Sequence, residues 1–270
     1  MKYFVVSDIH GYYGYLIDAL NEAGFSQDNI NHKLIICGDL FDRGHEACKL
    51  QEYILSLISN DKVILIRGNH EDLYLQMCAS LPELCADNSI LFSHHYSNRT
   101  FDTAKQLTQK STSWALSHGE EFKKLALSTP FVQQIIPAMR NYFETENYIF
   151  VHGWIPCCRD GKPPHYIRGR VYKYFEDWRN SSEKDWEQAR WLNGMLLYHD
   201  YDIKETGKTI VCGHWHTSFA HSKYSGICSS EFDKDAIFKP YISNSEKGNI
   251  IAIDGCVAHT HKVNCVVIED

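Results

Sequence analysis

No stretch of this chain is apolar for the roughly 18 residues that a helix needs to cross a bilayer, so no membrane span is expected. Nor is there a leader-like start. Met1-Lys-Tyr-Phe-Val-Val runs straight into a strand-like segment that ends in a polar motif, so no signal peptide is expected and the cytoplasm is the expected location. The chain has ten cysteines but no CxxC spacing. Several sit in strand-like runs (Cys37, Cys212, Cys265), and the adjacent pair Cys157-Cys158 reads as loop thiols, which together point to a reducing compartment. There is no excess of positive charge. A net charge of −7 disfavours broad electrostatic binding of nucleic acid. Internal repeats, low-complexity tracts and linkers are missing as well. The chain is 44% hydrophobic and 23% charged over 270 residues, the composition of a globular protein with one sizeable core. A single domain over 1–270 is expected, with variable or helical inserts at about 90–145 and 155–205.

What is present begins with Gly38-Asp-Leu-Phe-Asp-Arg-Gly44, placed at the end of the apolar run Lys33-Leu-Ile-Ile-Cys37. A β-rich run stopping at Gly-Asp puts Asp39 at the carboxyl end of a strand, where open α/β sheets place their chemistry. Asp42 and Arg43 follow closely. One carboxylate can hold metal, the other can orient an acid or base, and a guanidinium can grip a phosphate through two parallel hydrogen bonds. Tyr3-Phe-Val-Val-Ser7 is an earlier strand-like run, ending in Asp8-Ile-His10-Gly11. On an extended backbone Asp8 and His10 leave the same face, and a carboxylate beside an imidazole suits a first-row divalent ion. Val63-Ile-Leu-Ile66 is a third strand, ending in Arg67-Gly-Asn-His-Glu71. Helical spacing at Leu16, Ala19, Leu20 and Ala23, and again at Ala47, Leu50, Ile54, Leu57 and Ile58, completes a βαβ rhythm. In a parallel sheet the three polar strand ends converge on one edge.

The region from about Asp72 to Thr145 reads as helices covering one face of the sheet, over Phe101 to Leu116 and Phe131 to Tyr142. His94-His95 read as surface or satisfied residues. Tyr148-Ile-Phe-Val151 is a further strand, ending in His152-Gly153. Beyond it Pro163-Pro164, Arg168, Arg170, Lys173, Arg179 and Arg190 stand among aromatics, a mixture that suits either a substrate groove or a helical cap with solvated charges outside. Trp186 to Tyr198 looks helical, with Arg190 on that helix. Thr209-Ile-Val-Cys212 ends in Gly213-His-Trp-His-Thr217, where His214 and His216 share a face if extended. Asn249 to Ile253 and Lys262 to Ile268 read as two closing strands, with His259 and His261 as hairpin residues between them.

Five strand ends thus carry DxH, GDxxDRG, RGNHE, His-Gly and GHxH. In SDIHG, GDLFDRG, RGNHE, YIFVHG, GHWHT and IDGC the chain resembles the calcineurin-like metallophosphoesterases. Within them it is most similar to the phosphoprotein phosphatase branch, which also holds bacterial and phage protein phosphatases and symmetrical diadenosine tetraphosphate hydrolases. The resemblance implies an α/β fold, a four-layer αββα sandwich with a dinuclear metal site at the strand ends. It assigns Asp39 as the bridging ligand. Asp8 and His10 join it on the first ion, and Asn69, His152 and His214 join it on the second. His216 is added as a further ligand of the first ion, because GHxH lends its second His there in the wider family. His70 is implied as the acid that protonates the leaving oxygen, with Asp42 holding its imidazole. Arg43 and Arg67 would clamp the phosphoryl oxygens, and Arg190 is the candidate for a further phosphate-binding arginine, with Arg168 and Arg179 as alternatives.

The chemistry accounts for these residue types. Two cations about 3.5–4 Å apart neutralise a phosphate ester and generate a hydroxide near neutral pH. Mixed N/O ligation favours Mn, or Fe or Zn, over Mg. The expected activity is hydrolysis of phosphate monoesters by that hydroxide, with serine/threonine or dual-specificity protein phosphatase placed first. Hydrolysis of diadenosine tetraphosphate or of nucleic-acid phosphodiesters is the alternative within enzymes. A metal-binding scaffold without catalysis is the alternative outside them, and the presence of His70 and both arginines weighs against it. The partners expected are phosphorylated protein or a small phosphoester, with no membrane.

Overall fold

The computed structural model describes residues 1–157 and 172–270. Its first third is the βαβ rhythm that the sequence predicts: β1 (Lys2–Val6), α1 (Tyr13–Ala23), β2 (His32–Cys37), α2 (Ala47–Ser59), β3 (Val63–Ile66) and α3 (Asn69–Ala86). β1, β2 and β3 pair in parallel, so their carboxyl ends share one edge. Helices α4 (His94–Ser97), α5 (Thr100–Thr108), α6 (Thr112–Ser117), α7 (Gly119–Ser128) and α8 (Ile136–Ala138) follow. β4 (Phe143–Glu144) and β5 (Tyr148–Phe150) come next, then α9 (Glu183–Ala189), α10 (Gly194–Asp200), β6 (Thr209–Cys212), α11 (Ser218–Lys223), β7 (Tyr241–Ser243), β8 (Asn249–Ala252), α12 (Val257–Thr260) and β9 (Val266–Glu269).

The strands form two sheets, β3-β2-β1-β9 and β4-β5-β6-β8-β7. Period-2 alternation explains how they stack. Val5, Ile35, Ile64 and Ile66 of the first sheet meet Phe150, Val211 and Ile253 of the second in one dry cluster between the sheets. Their neighbours Phe4, Val6, Leu34, Ile36 and Leu65 face the other way, onto the helices from α1 to α7. Ile149, Ile210 and Ile250 likewise face away from the first sheet, onto the side of α9, α10 and α11. Helix, sheet, sheet, helix is the layer order expected. Three parallel strands stand in each sheet, and within each their carboxyl ends share one edge. No helix among the described residues is long and apolar enough to cross a membrane.

Several elements differ from the sequence reading. The run from Phe101 to Leu116 is two helices, broken where Gln109 takes a left-handed φ of 56° and Ser111 caps α6 by accepting from the Trp114 N–H. Phe131 to Tyr142 is a π turn and a short helix; Arg140 then bridges to Ile66. Trp186 to Tyr198 also breaks, because Asn193 caps α10 through the Leu196 N–H. The two closing strands are not a hairpin: β8 lies in the second sheet and β9 in the first. His259 sits in the short α12, and His261 follows it with φ 58°. Cys158, Pro163-Pro164, Arg168 and Arg170 lie outside the described residues.

Candidate metal centre

The loops that leave β1, β2 and β6 hold an unusual density of left-handed residues. Asp8 and His10 have φ 51°, Asp39 55°, Asp42 73°, Arg43 63° and His214 66°. A side chain in this region costs energy that surrounding contacts must offset, and such residues gather at functional sites. The offsetting contacts are visible here. The Asp8 and His10 N–H groups donate to the Gly38 and Asp39 carbonyls at 3.1 and 3.0 Å. The His214 N–H donates to Asp8 Oδ2 at 2.9 Å, tying the second sheet to the first. Glu71 accepts from the Gly68, Asp39 and Leu40 N–H groups at 2.7, 3.2 and 3.0 Å, lacing the β2 loop to the start of α3. Two glycines allow the close approach: a Cβ on Gly68 would stand 2.2 Å from Asp39 Oδ1, and one on Gly213 2.3 Å from Asp8 Oδ2.

Asp39 is the hub of the arrangement. His10 Nε2 and His70 Nε2 each lie 3.9 Å from its Oδ2, and His152 Nε2 lies 3.4 Å from its Oδ1. Two donor groups result, His10–Asp39–His70 and Asp39–His152–His214, and both contain Asp39. The 3.9 Å separations are too long for hydrogen bonds. The His10–Asp39 and His152–Asp39 separations fit a cation seated between, since two ligand atoms each about 2.1 Å from one ion stand at most about 4.2 Å apart. Asp8 Oδ1 is 4.0 Å from His10 Nε2, and Asn69 Oδ1 is 2.8 Å from His152 Nε2, which sets both predicted oxygen ligands beside these groups. His10 Nδ1 is held at 3.0 Å by the Phe41 carbonyl and His152 Nδ1 at 2.8 Å by the Cys37 carbonyl. A carbonyl on Nδ1 is the usual second contact of a ligating histidine, and here it turns each Nε2 toward Asp39.

The electrostatics agree with a site for cations. Burial pulls the pKa of His10 well below its ordinary value and that of His214 down to about 3, with neighbouring positive groups adding to both, so both are neutral donors. Burial, reinforced by Asp39, pushes Asp8 up to about 6 and Glu71 to about 7. Burial and Asp8 push Asp254 to about 7. Burial works against charge on His152, but the Asp39 carboxylate lifts it to about 10. Asp8, Glu71 and Asp254 are thus crowded buried carboxylates of the kind that bound cations relieve, while Asp39, against burial, is held well below the usual carboxylate range by His152 and His70.

His70 and Asp42 form a dyad beside this hub. His70 Nδ1 lies 2.7 Å from Asp42 Oδ2. The Thr100 hydroxyl donates to Asp42 Oδ2 and the Thr103 hydroxyl to Asp42 Oδ1, both at 2.8 Å, and the Asp42 N–H donates to Thr103 Oγ1 at 3.0 Å. Burial opposes a charge on His70, yet Asp39 and Asp42 raise its pKa above the usual imidazole value. Arg43 is near enough for its charge to act on both His10 and His70. Arg67 donates to Asp72 Oδ1 at 2.6 Å.

Three predicted residues are placed elsewhere. His216 stays outside both donor groups, with its Nε2 2.7 Å from Glu231 and its ring packed beside Trp215 and Phe232. The two-residue spacing brings side chains to one face only on an extended backbone, and His214 is left-handed. Arg190 is not on a helix interior or open to substrate. It ends α9, buried, and donates to Asp72 at 2.7 Å, to Asn141 at 2.5 Å and to Glu183. Arg179 clasps Glu144 with two bonds of 2.8 and 2.6 Å and Glu205 with a third of 3.0 Å. His95 is buried against His94, ring centroids 3.9 Å apart, and burial pulls it down to about 4; its Nδ1 has no partner among the described residues. Sequence reasoning missed Glu71, Asp72, Thr100, Thr103 and Asp254 as supports of the site. Glu71 carried a signal, an acidic residue three beyond a helix N-cap; the threonines carried none.

A hub carboxylate shared by two donor groups, with a His–Asp pair alongside, could seat two cations next to a proton-transfer group. A family model of the calcineurin-like phosphoesterases matches residues 1–262, and the chain belongs to that family. Among curated proteins it is 26% identical over 136 residues to a bis(5'-nucleosyl)-tetraphosphatase (asymmetrical) of Bacillus subtilis, covering 48% of this chain and 51% of that one. It is 30% identical over 78 residues to a tetraphosphatase of the same name from Anoxybacillus flavithermus, covering 27% of this chain and 32% of that one. The chain therefore spans about half, or a third, of the length of these relatives. Among solved structures it is similar to a cold-active protein-tyrosine phosphatase of a psychrophilic Shewanella, with TM-score 0.54, 16% identity, and coverage of 100% of this chain and 75% of that one. That likeness concerns the fold.

Proposed function

We propose that the protein hydrolyses phosphate esters at a centre holding two divalent ions, Mn ahead of Fe or Zn. Asp39 would be shared between the ions, with Asp8 and His10 on one side and Asn69, His152 and His214 on the other. The mixed carboxylate, amide and imidazole set fits these metals. Bound there, two such ions supply charge neutralisation at the phosphoryl group and make a water nucleophilic near neutral pH. The observation that carries the reading is the His70–Asp42 contact of 2.7 Å beside the hub carboxylate. His70, held with its Nδ1–H on Asp42, delivers a proton from Nε2 to the leaving oxygen. Arg43 and Arg67 grip the phosphoryl oxygens through paired N–H groups. Arg190 reaches the substrate only through Asp72, whose carboxylate it shares with Arg67. His216, paired with Glu231, belongs to the rim.

For the substrate we place nucleoside oligophosphates first, supported by the names of the curated relatives. Phosphoprotein, the class favoured by the motifs alone, is the second reading, supported by a dyad suited to poor alkoxide leaving groups. The protein would work in a reducing compartment such as the cytoplasm, a reading supported by its free cysteines. A Mn-supplemented panel tests the proposal: p-nitrophenyl phosphate, diadenosine tetraphosphate and a phosphoserine peptide. Turnover of at least one is expected, with the tetraphosphate showing the highest kcat/KM. Inertness toward all three defeats the proposal, and a preference for the peptide reverses the order of substrates.

A further inference from the structure

Gly44 and His45, next in the chain to Arg43, line an open cavity of about 640 Å³ that the reaction described above does not use. One wall is the backbone of the catalytic loop, Gly44 and His45; the other is α5 and the turn after it, with Arg99, Lys105, Gln106 and Lys110. The walls are joined at two points. Gln106 Nε2 donates to the Gly44 carbonyl at 3.0 Å and Arg99 donates to the Arg43 carbonyl at 3.3 Å. Three cationic side chains line the cavity against one carboxylate, Asp102, which pairs with Lys105 at 2.7 Å. Among the described residues no carboxylate pairs with Arg99 or Lys110. Lys110 instead stands over the Trp114 ring, 4.6 Å from its centroid. On a chain of net charge −7 such a pocket is a local reversal of sign, and clefts of one sign draw in ligands of the other.

We propose that this cavity is an anion subsite for the phosphates of a nucleoside oligophosphate that lie beyond the one held at Arg43. The inference rests on the phosphoesterase reading above. Guanidinium and ammonium groups are the usual partners of phosphate oxygens, and the side-chain amide of Gln106 lies beside them. The same helix that offers Lys105 and Gln106 to the cavity holds Asp42 through Thr100 and Thr103, so a ligand here is aligned by the element that aligns the acid dyad.

The test is Lys110→Glu, a change at a partly exposed turn, with Gln109→Glu as a second variant at an exposed position of the same wall. The quantity read is the ratio of kcat/KM for diadenosine tetraphosphate to that for p-nitrophenyl phosphate, in excess Mn at fixed ionic strength. The ratio is expected to fall about tenfold in Lys110→Glu, through KM, as a cation facing the phosphates becomes an anion, and by less in Gln109→Glu, which adds one negative charge to the same wall. An unchanged ratio in both variants overturns the subsite. So does a loss confined to a phosphopeptide with acidic flanks, which would make the cavity a peptide-docking site. Wild-type protein that cleaves p-nitrophenyl phosphate but no tetraphosphate also overturns it while leaving the phosphoesterase reading intact. Wild-type protein inert toward both overturns that reading, and the subsite with it.

Discussion

The loops after β1 and β6 carry the same pattern, two candidate ligand residues separated by one. After β1, Asp8 and His10 are both left-handed and both are bonded through their N–H groups to the β2 loop. Both side chains are therefore delivered to Asp39, at the junction of the sheets. After β6 only His214 is left-handed and tied to the first sheet. The Trp215 N–H then donates back to the Gly213 carbonyl at 2.8 Å, and the tight turn sends His216 to Glu231. Spacing alone does not decide which side chains meet; the backbone bonds that anchor each residue do. The first sheet supplies a rigid, laced platform, and the second contributes imidazoles that close over it.

The largest blow to this arrangement is expected at the residue both loops serve. Asp39→Asn should lower kcat for p-nitrophenyl phosphate by about 10³-fold or more, since removing charge from the hub forfeits the several kcal/mol that two ions provide. A loss under tenfold would show that the loops do not depend on Asp39.

Next in size is the acid dyad. His70→Ala should cost 10²–10⁴-fold, the usual span of general acid catalysis, toward a serine phosphate. The cost should be much smaller toward p-nitrophenyl phosphate, whose leaving group departs as an anion. Equal losses on the two substrates, at unchanged metal content, would make His70 a positioning group instead.

The comparison of loops itself is sharpened by Asp8→Asn against His216→Ala. The first should raise the Mn concentration for half-maximal activity by more than tenfold, within the range seen for ligand supports; the second should shift it less than threefold. Matched shifts would place His216 among the ligands.

The smallest effect lies far from the centre. Bonds from Arg179, and then from Lys208, hold Glu144 down to about 2, against the opposing effect of burial. A depressed carboxyl stabilises the fold above its unfolded pKa near 4.5 and loses that contribution as pH falls toward 2. Because the pair is partly solvated, the contribution should be about 1 kcal/mol. Urea unfolding of metal-free Glu144→Gln should show that deficit at pH 7 and none near pH 2.

Much of this was legible in the chain. Short apolar runs ended in polar motifs at β1, β2, β3, β5 and β6, and these ends hold every donor at the hub. The illegible parts share a physical cause, which is that long-range bonds redirect a local pattern. Helical spacing ran through Arg190, but α9 ends there and Asn193, three residues on, caps a new helix. The pair of closing strands looked like a hairpin, yet Ile253 and Ile268 both face the space between the sheets, which β8 and β9 reach from opposite sides. Thr100 and Thr103 matter only because folding brings them to Asp42, about 60 residues away in sequence.

The central claim is that loops from two sheets close one two-ion centre around Asp39. Metal analysis of protein loaded with excess Mn and then desalted tests it most directly. The account predicts two ions per chain in the wild type and depletion of both in Asp39→Asn. One ion or none in the wild type, or two retained in Asp39→Asn, would contradict it.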